Sequence, residues 1–341
     1  MRESFAIGGV RVRAGQSKSV ELPIARLVTG GDVSLPVRVV HGREPGPVVW
    51  LDAAVHGDEV VGVEVIRQVL AAVSPKALRG TLLAVPVVNV LGFMTGDRYL
   101  PDRRDLNRSF PGSARGSLAS RIAHLLMTEV VARCDVGIDL HTGSDRRDNL
   151  PQIRADLDHP ETRRLAAAFG APVMLHARLR DGSLRQAANE AGAIALLYEA
   201  GEALRLEEEP IDAGVTGALR VLAALDMLDE RPHDDPPPVE CRTSGWVRSR
   251  GSGILHLEVQ LGDRVVAGAR LGRVADALGT GGRIVRADRD GIVIGLTRAP
   301  IVHAGDAVAH IAEPVAAAAA GAVGDGVDDA PEPGSEPAPI S

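Results

Sequence analysis

Val48-Val49-Trp50-Leu51-Asp52-Ala53-Ala54-Val55, followed at once by His56-Gly57-Asp58-Glu59, is the stretch on which the reading of this chain turns. A nearly unbroken apolar run after Gly46-Pro47 has the signature of a strand buried on both faces. The polar tetrad breaks the run. Val63, Ile66, Val69, Leu70 and Val73 then recur at helical spacing across residues 60 to 73. Pro75 stops that helix, and residues 81 to 88 form a second apolar strand. Strand, helix and strand in so short a span make a βαβ unit, with parallel strands and a right-handed crossover.

Outward from this unit the alternation continues. Residues 118 to 132, 160 to 169, 184 to 190 and 213 to 229 read as helices, and 136 to 140, 173 to 175 and 193 to 198 as strands. Upstream, residues 1 to 45 read as short alternating strands broken at Ala14-Gly15 and Thr29-Gly30-Gly31. Downstream, Pro232 and Asp234-Asp235-Pro236-Pro237-Pro238 mark a Pro-rich linker over 231–239. Residues 240–312 have short strands, many glycines and no clear helix, which predicts a small β-barrel-like domain. Residues 313–341 carry little to bury and read as a disordered tail. The expected fold is therefore α/β, with residues 1–230 forming a mixed, mostly parallel sheet flanked by helices, followed by a small C-terminal all-β domain.

Composition narrows the function. The 341 residues carry a net charge of −7, which argues against a nucleic-acid surface. Cys134 and Cys241 are far apart and form no CxxC pair, so a reducing compartment is the expectation. MRESFAIGGV lacks the apolar core of a signal peptide, and no run reaches the ~18 apolar residues of a membrane span. These features predict a soluble, cytoplasmic protein with neither nucleic acid nor membrane as partner; homo-oligomerisation stays open.

The polar residues at strand ends carry the chemistry. Two histidines and one glutamate, with a fourth position for water, are a familiar zinc set in hydrolases. His56 and Glu59 stand three positions apart on a strand-to-helix turn, His141 follows the strand at 136–140, and Glu199 follows the strand at 193–198. A lone H-x-x-E is weak evidence, because any surface helix can carry one. Open α/β sheets, however, build sites at the carboxyl ends of their strands, and here three strands deliver two His and two Glu to one edge. Asp139 lies two residues before His141, hence on the same strand face, where it can accept the second ring N–H of that histidine or merely cap a loop.

Four motifs together are specific. Ala54-Val55-His56-Gly57-Asp58-Glu59, Asp105-Leu106-Asn107-Arg108, Asp139-Leu140-His141-Thr142 and Tyr198-Glu199-Ala200-Gly201 resemble, in order and approximate spacing, those of the succinylglutamate desuccinylase/aspartoacylase family of zinc carboxypeptidase-like hydrolases. The resemblance spans roughly residues 5 to 312. It implies one Zn2+ per chain on His56, Glu59 and His141. It also implies Glu199 as the catalytic glutamate, taking a proton from the attacking water and returning it to the leaving amine. Asn107 and Arg108 match the pair that grips a substrate carboxylate. Arg98, in Asp97-Arg98-Tyr99, resembles an arginine that polarises the scissile carbonyl, although the segment up to Asp105 is slightly longer than in aspartoacylases. The implied activity is hydrolysis of the amide bond of a small N-acyl amino acid.

Two rival functions remain. A peptide-cleaving zinc carboxypeptidase keeps the metal but needs an open cleft. A carrier module is suggested by the likeness of residues 240–312 to biotinyl/lipoyl domains, which attach their cofactor to a lysine. Lys18 and Lys76 are the only lysines, so the carrier reading fails.

Overall fold

Alternation of apolar and polar residues sets the N-terminal strands. β1 (Phe5–Ile7) and β2 (Val10–Val12) form a hairpin, and β3 (Gln16–Arg26) pairs antiparallel along its length with β4 (Asp32–His41). On β4, Val33, Leu35, Val37 and Val39 all turn inward. Residues 48–53 of the apolar run at 48–55 lie within β5 (Glu44–Ala53), and 54–55 belong to the turn after it. Next come α1 (Val61–Ala72), β6 (Arg79–Val85), α2 (Val90–Thr95), α3 (Leu118–Glu129) and β7 (Val136–Gly143). β8 (Arg147–Ala155), α4 (Pro160–Phe169), β9 (Val173–His176), α5 (Leu184–Glu190), β10 (Ile194–Glu202) and α6 (Glu208–Ala224) complete the α/β part. The C-terminal part holds β11 (Val239–Arg248), β12 (Gly253–Leu257), β13 (Arg264–Val265), β14 (Arg270–Ala275), β15 (Arg283–Arg286), β16 (Gly291–Thr297), β17 (Ile301–Val302) and β18 (Ala307–Pro314). This computed structural model describes residues 2–144, 146–229 and 237–315. Most of the predicted linker, and the predicted tail from residue 316 on, lie outside the described residues.

The βαβ unit forms as expected: β5 runs parallel to β6 on one side and to β7 on the other. In the α/β part the sheet is mixed, as expected: β10, β7, β5 and β6 adjoin in parallel and β9 runs parallel to β8, while β8 pairs antiparallel with β10, and β4 antiparallel with β6 and β3. The reason is connectivity. Short loops join β3 to β4 and β7 to β8 and reverse the chain each time, so β3 pairs antiparallel with β4, and β8 runs against β10, the parallel neighbour of β7.

Helices cover both faces. On one, Val65, Ile66 and Val69 of α1 pack with Leu165 and Phe169 of α4 and Val221 and Leu222 of α6. On the other, Trp50, Leu83, Ile122, Leu126 and Leu184 form a second core. The strands between them are apolar on both sides, as a doubly covered sheet requires.

The C-terminal strands do not stand apart as a barrel. β11 pairs parallel with β9, β18 pairs with β11, and β16 pairs with both β18 and β8, so one sheet of twelve strands, among the described residues, runs through the molecule. Of the described C-terminal strands, β12, β14, β15 and β17 make a separate sheet. Leu150, Val173, Leu175, Cys241, Ile292 and Ile294 fill the junction. Without β11, β9 would present a bare edge and these side chains would meet water. No described helix is long and apolar enough to cross a membrane.

Candidate active site

The turn after β5 is built for close quarters. Ala54 is held at φ +50°, a left-handed conformation that a Cβ-bearing residue adopts only under constraint. Its carbonyl accepts the Asn89 N–H at 2.8 Å, which ties the turn to the end of β6. Gly57 follows because nothing larger fits: a Cβ there would lie 2.1 Å from the Gly92 carbonyl carbon. His56 and Glu59, on either side of this contact, are thereby turned to the same point.

Glu59 is 1% exposed and lies between the two histidines. Its Oε1 is 2.7 Å from His56 Nδ1, and its Oε2 is 2.7 Å from His141 Nδ1, while the Thr142 N–H donates to Oε2 at 3.2 Å. Each imidazole has a further carboxylate at its far nitrogen. Asp105 Oδ1 is 3.2 Å from His56 Nε2, and Asp139 Oδ1 is 2.9 Å from His141 Nε2, at a poor angle for a full hydrogen bond. Burial alone would push both histidines down. Glu59 and Asp105 instead hold His56 above its ordinary value, and Asp139 with Glu59 holds His141 well above it. Glu59 in turn, despite burial, is held well below the usual carboxylate range by His56 and His141. Behind Asp139 sits Asp52, fully buried; burial and the Asp139 charge push its carboxyl well up, and Trp50 Nε1 donates to its Oδ1 at 2.7 Å.

This cluster suits a divalent cation. One ligand atom from each of His56, Glu59 and His141 lies within 4.8 Å of the others, all three side chains are buried, and three carboxylates supply the compensating charge. Imidazole nitrogens plus a carboxylate are a zinc-type donor set. A second group, Asp156, Asp158 and His176, lies nearer the surface, where Arg242 already pairs with Asp158.

Glu199 is directly opposite His141 on the neighbouring parallel strand, at an irregularity of β10 beyond which Gly201 takes φ +71°. Its Oε2 accepts from Asn149 Nδ2 at 2.7 Å, and Arg154 Nη1 stands 4.0 Å from its Oε1. Arg98 donates from Nη1 to Glu59 Oε1 at 3.0 Å, so its guanidinium lies directly beside the donor set. The Asp-Leu-Asn-Arg motif forms a 3-10 turn over Leu106–Arg108, capped by Asp105 through the Asn107 N–H at 2.8 Å. Asn107 Oδ1 accepts the Leu184 N–H at 2.9 Å, and Arg108 Nη1 donates to the Asn107 carbonyl at 2.7 Å.

All seven expected metal, catalytic and substrate residues line one pocket, namely His56, Glu59, His141, Glu199, Arg98, Asn107 and Arg108, with Asp139 behind them. The sequence reading missed the rest of the wall. Asn149, Arg147 and Arg154 come from β8, and Trp246 and His310 from the C-terminal strands. The Trp246 and His310 rings stack at 4.6 Å and 16°, with the Arg147 guanidinium 5.1 Å from the Trp246 ring centre. His310 Nε2 is 2.9 Å from Ser244 Oγ. Burial first, then the charges of Arg154, Arg289 and Arg147, hold this histidine well below its ordinary value.

A buried His-Glu-His donor set at the carboxyl edge of a doubly covered α/β sheet, with a second glutamate alongside, defines a protein of enzyme type. The model of the succinylglutamate desuccinylase/aspartoacylase catalytic domain matches residues 45–225, and the chain belongs to that family. The N-alpha-acetyl-L-2,4-diaminobutyric acid deacetylase of Halomonas elongata is 33% identical over 315 residues, covering 87% of this chain and 91% of that protein. The succinylglutamate desuccinylase/aspartoacylase of Rhodobacter sphaeroides superimposes with a TM-score of 0.79 at 27% identity, over 88% of this chain and 96% of its own. The ectoine utilization protein EutE (DoeB) of Ruegeria pomeroyi, in its product-bound structure, gives 0.79 at 26% identity, over 89% and 97%.

Proposed function

We propose that this protein is a zinc-dependent deacylase that hydrolyses the amide bond of a small N-acyl amino acid. The observation that carries the reading is the convergence of His56, Glu59 and His141 on one point, with Glu199 on the adjoining strand of the same pocket. The deacetylase relative supports the reaction class.

His56 Nδ1, Glu59 and His141 Nδ1 would hold one ion per chain. A zinc ion, when bound, supplies Lewis acidity, which acidifies water and polarises a carbonyl. Glu199 takes the proton of the attacking water on its carboxylate and returns it to the departing nitrogen, general base then general acid. Arg98, beside Glu59, is positioned to donate to oxyanion charge developing on the scissile carbonyl. Arg108 and Asn107 hold the substrate carboxylate, for which a guanidinium fork is well matched. Arg147, Arg154, Arg178 and Arg180 on the same wall add to the preference for an anionic substrate. Trp246, Arg248 and His310 of the C-terminal strands close one side, which favours a small substrate over a peptide chain threaded through an open cleft.

The test is Glu199→Gln. It keeps size and hydrogen-bonding shape but accepts no proton, so kcat on N-acetyl amino acids should fall on the order of 10²–10⁴-fold with zinc content and thermal stability intact. A folded, zinc-loaded variant with near-normal kcat would end the mechanism. A panel of N-acetyl amino acids against dipeptides decides between deacylase and carboxypeptidase.

A further inference from the structure

Asn149 has no part in the chemistry above, yet it donates directly to the proposed base. It is 5% exposed, on β8, and its Nδ2 donates to Glu199 Oε2 at 2.7 Å. An ionised carboxylate only accepts hydrogen bonds, so the amide must present its NH2 to Glu199 and its oxygen elsewhere. The backbone here is paired on both sides. Gln152 of β8 pairs with Glu199 and Asn149 with Gly201, while on the other side Asn149 pairs with Gly295 of β16. Gly295 leaves the room that the side chain needs. A Cβ there would sit 3.0 Å from Asn149 Oδ1, 3.2 Å from His310 Cβ and 3.3 Å from Trp246 Cη2. The amide is therefore wedged between the strand carrying Glu199 and a strand of the C-terminal part.

We infer that Asn149 is a positioning residue for Glu199: it anchors Oε2 and so aims Oε1 for proton transfer. The inference rests on Glu199 being the proton carrier. A carboxylate has side-chain torsions that set where each oxygen points, and a base must come within roughly 2.6–3.2 Å of the proton that it takes. A misplacement of about 1 Å can cost on the order of 10²-fold in rate. The β16–β8 pairing gives the C-terminal strands a second task beyond walling the pocket: they hold the residue that holds the base.

A double-mutant cycle on the zinc-loaded full-length chain tests this, with the best substrate from a panel of N-acetyl amino acids. Asn149→Ala should lower kcat roughly 10- to 100-fold while KM stays within about twofold and one zinc per chain is kept. In the Glu199→Gln background the same change should cost less than about twofold, because a residue acting only through Glu199 has nothing left to position. Asn149→Asp keeps the shape and loses the donor, so it should fall at least as far as Asn149→Ala, and it carries the cycle if the alanine variant fails to fold. Equal losses in both backgrounds, or a loss confined to KM, overturn the positioning role while leaving Glu199 as base. Near-normal kcat in Glu199→Gln alone instead overturns the role of Glu199.

Discussion

Asp105 and Asp139 do the same work from different distances along the chain. Each places a carboxylate beside the Nε2 of one histidine, 3.2 Å away at His56 and 2.9 Å at His141, where a ring proton held on Nε2 would leave Nδ1 to ligate a metal. Asp139 was legible because residues two apart on a strand share a face. Asp105 was not, because nothing in sequence links it to a histidine 49 positions earlier. Replacing either by Asn should weaken zinc binding by roughly 10- to 100-fold, read by competition against a chelator of known affinity. Arg108→Met should raise KM for carboxylate-bearing substrates, at a cost of about 1.5–3 kcal/mol, and barely affect an uncharged amide analogue. His310 gives a stability prediction with a definite sign. Its folded pKa lies below the ordinary value, so below about pH 6.5 the unfolded chain binds a proton that the folded one resists, and stability falls with pH. Melting temperatures at pH 5 and 7.5 should differ less in His310→Gln than in the parent protein.

Among the elements, the most regular were the most legible. The spans of α4 and α5 match the hydrophobic spacing at both ends, and the βαβ unit stands where the apolar runs put it. α6 begins at Glu208 rather than at residue 213, because Glu208, Glu209 and Pro210 are helix-start residues that carry no apolar period. β8 escaped the reading altogether. Pro151 argues against a central strand, and buried Asn149 and Gln152 break the apolar run, yet both sides of this strand are paired. Of the polar residues that hid it, Asn149 lines the pocket and Gln152 donates to the Leu150 and Ile294 carbonyls. His56-Gly57-Asp58-Glu59 shows the opposite case, a turn whose glycine is dictated by the backbone against it. Gly57→Ala should destabilise the fold by about 1–3 kcal/mol and lower zinc occupancy as well, since His56 and Glu59 ride on the same turn. Thermal melts with metal analysis would show both losses together, and loss of stability without loss of zinc would separate the turn from the site.

At the scale of the whole molecule, the Pro-rich segment suggested two units, and the strand pairing joins them. Local sequence could not reveal this, because the partners β9 and β11, and β8 and β16, meet only through long-range hydrogen bonds. Removing the chain from residue 237 on should bare the β9 edge and the apolar junction around Leu150, Val173 and Leu175, leaving a core that aggregates rather than an enzyme of altered selectivity. The account as a whole stands on the donor set, so the most direct test is metal content. Purified protein should carry one zinc per chain, lose activity when a chelator strips the ion, and regain it on zinc addition; His141→Ala should remain folded with zinc largely absent. Full zinc occupancy in His141→Ala would contradict the assignment.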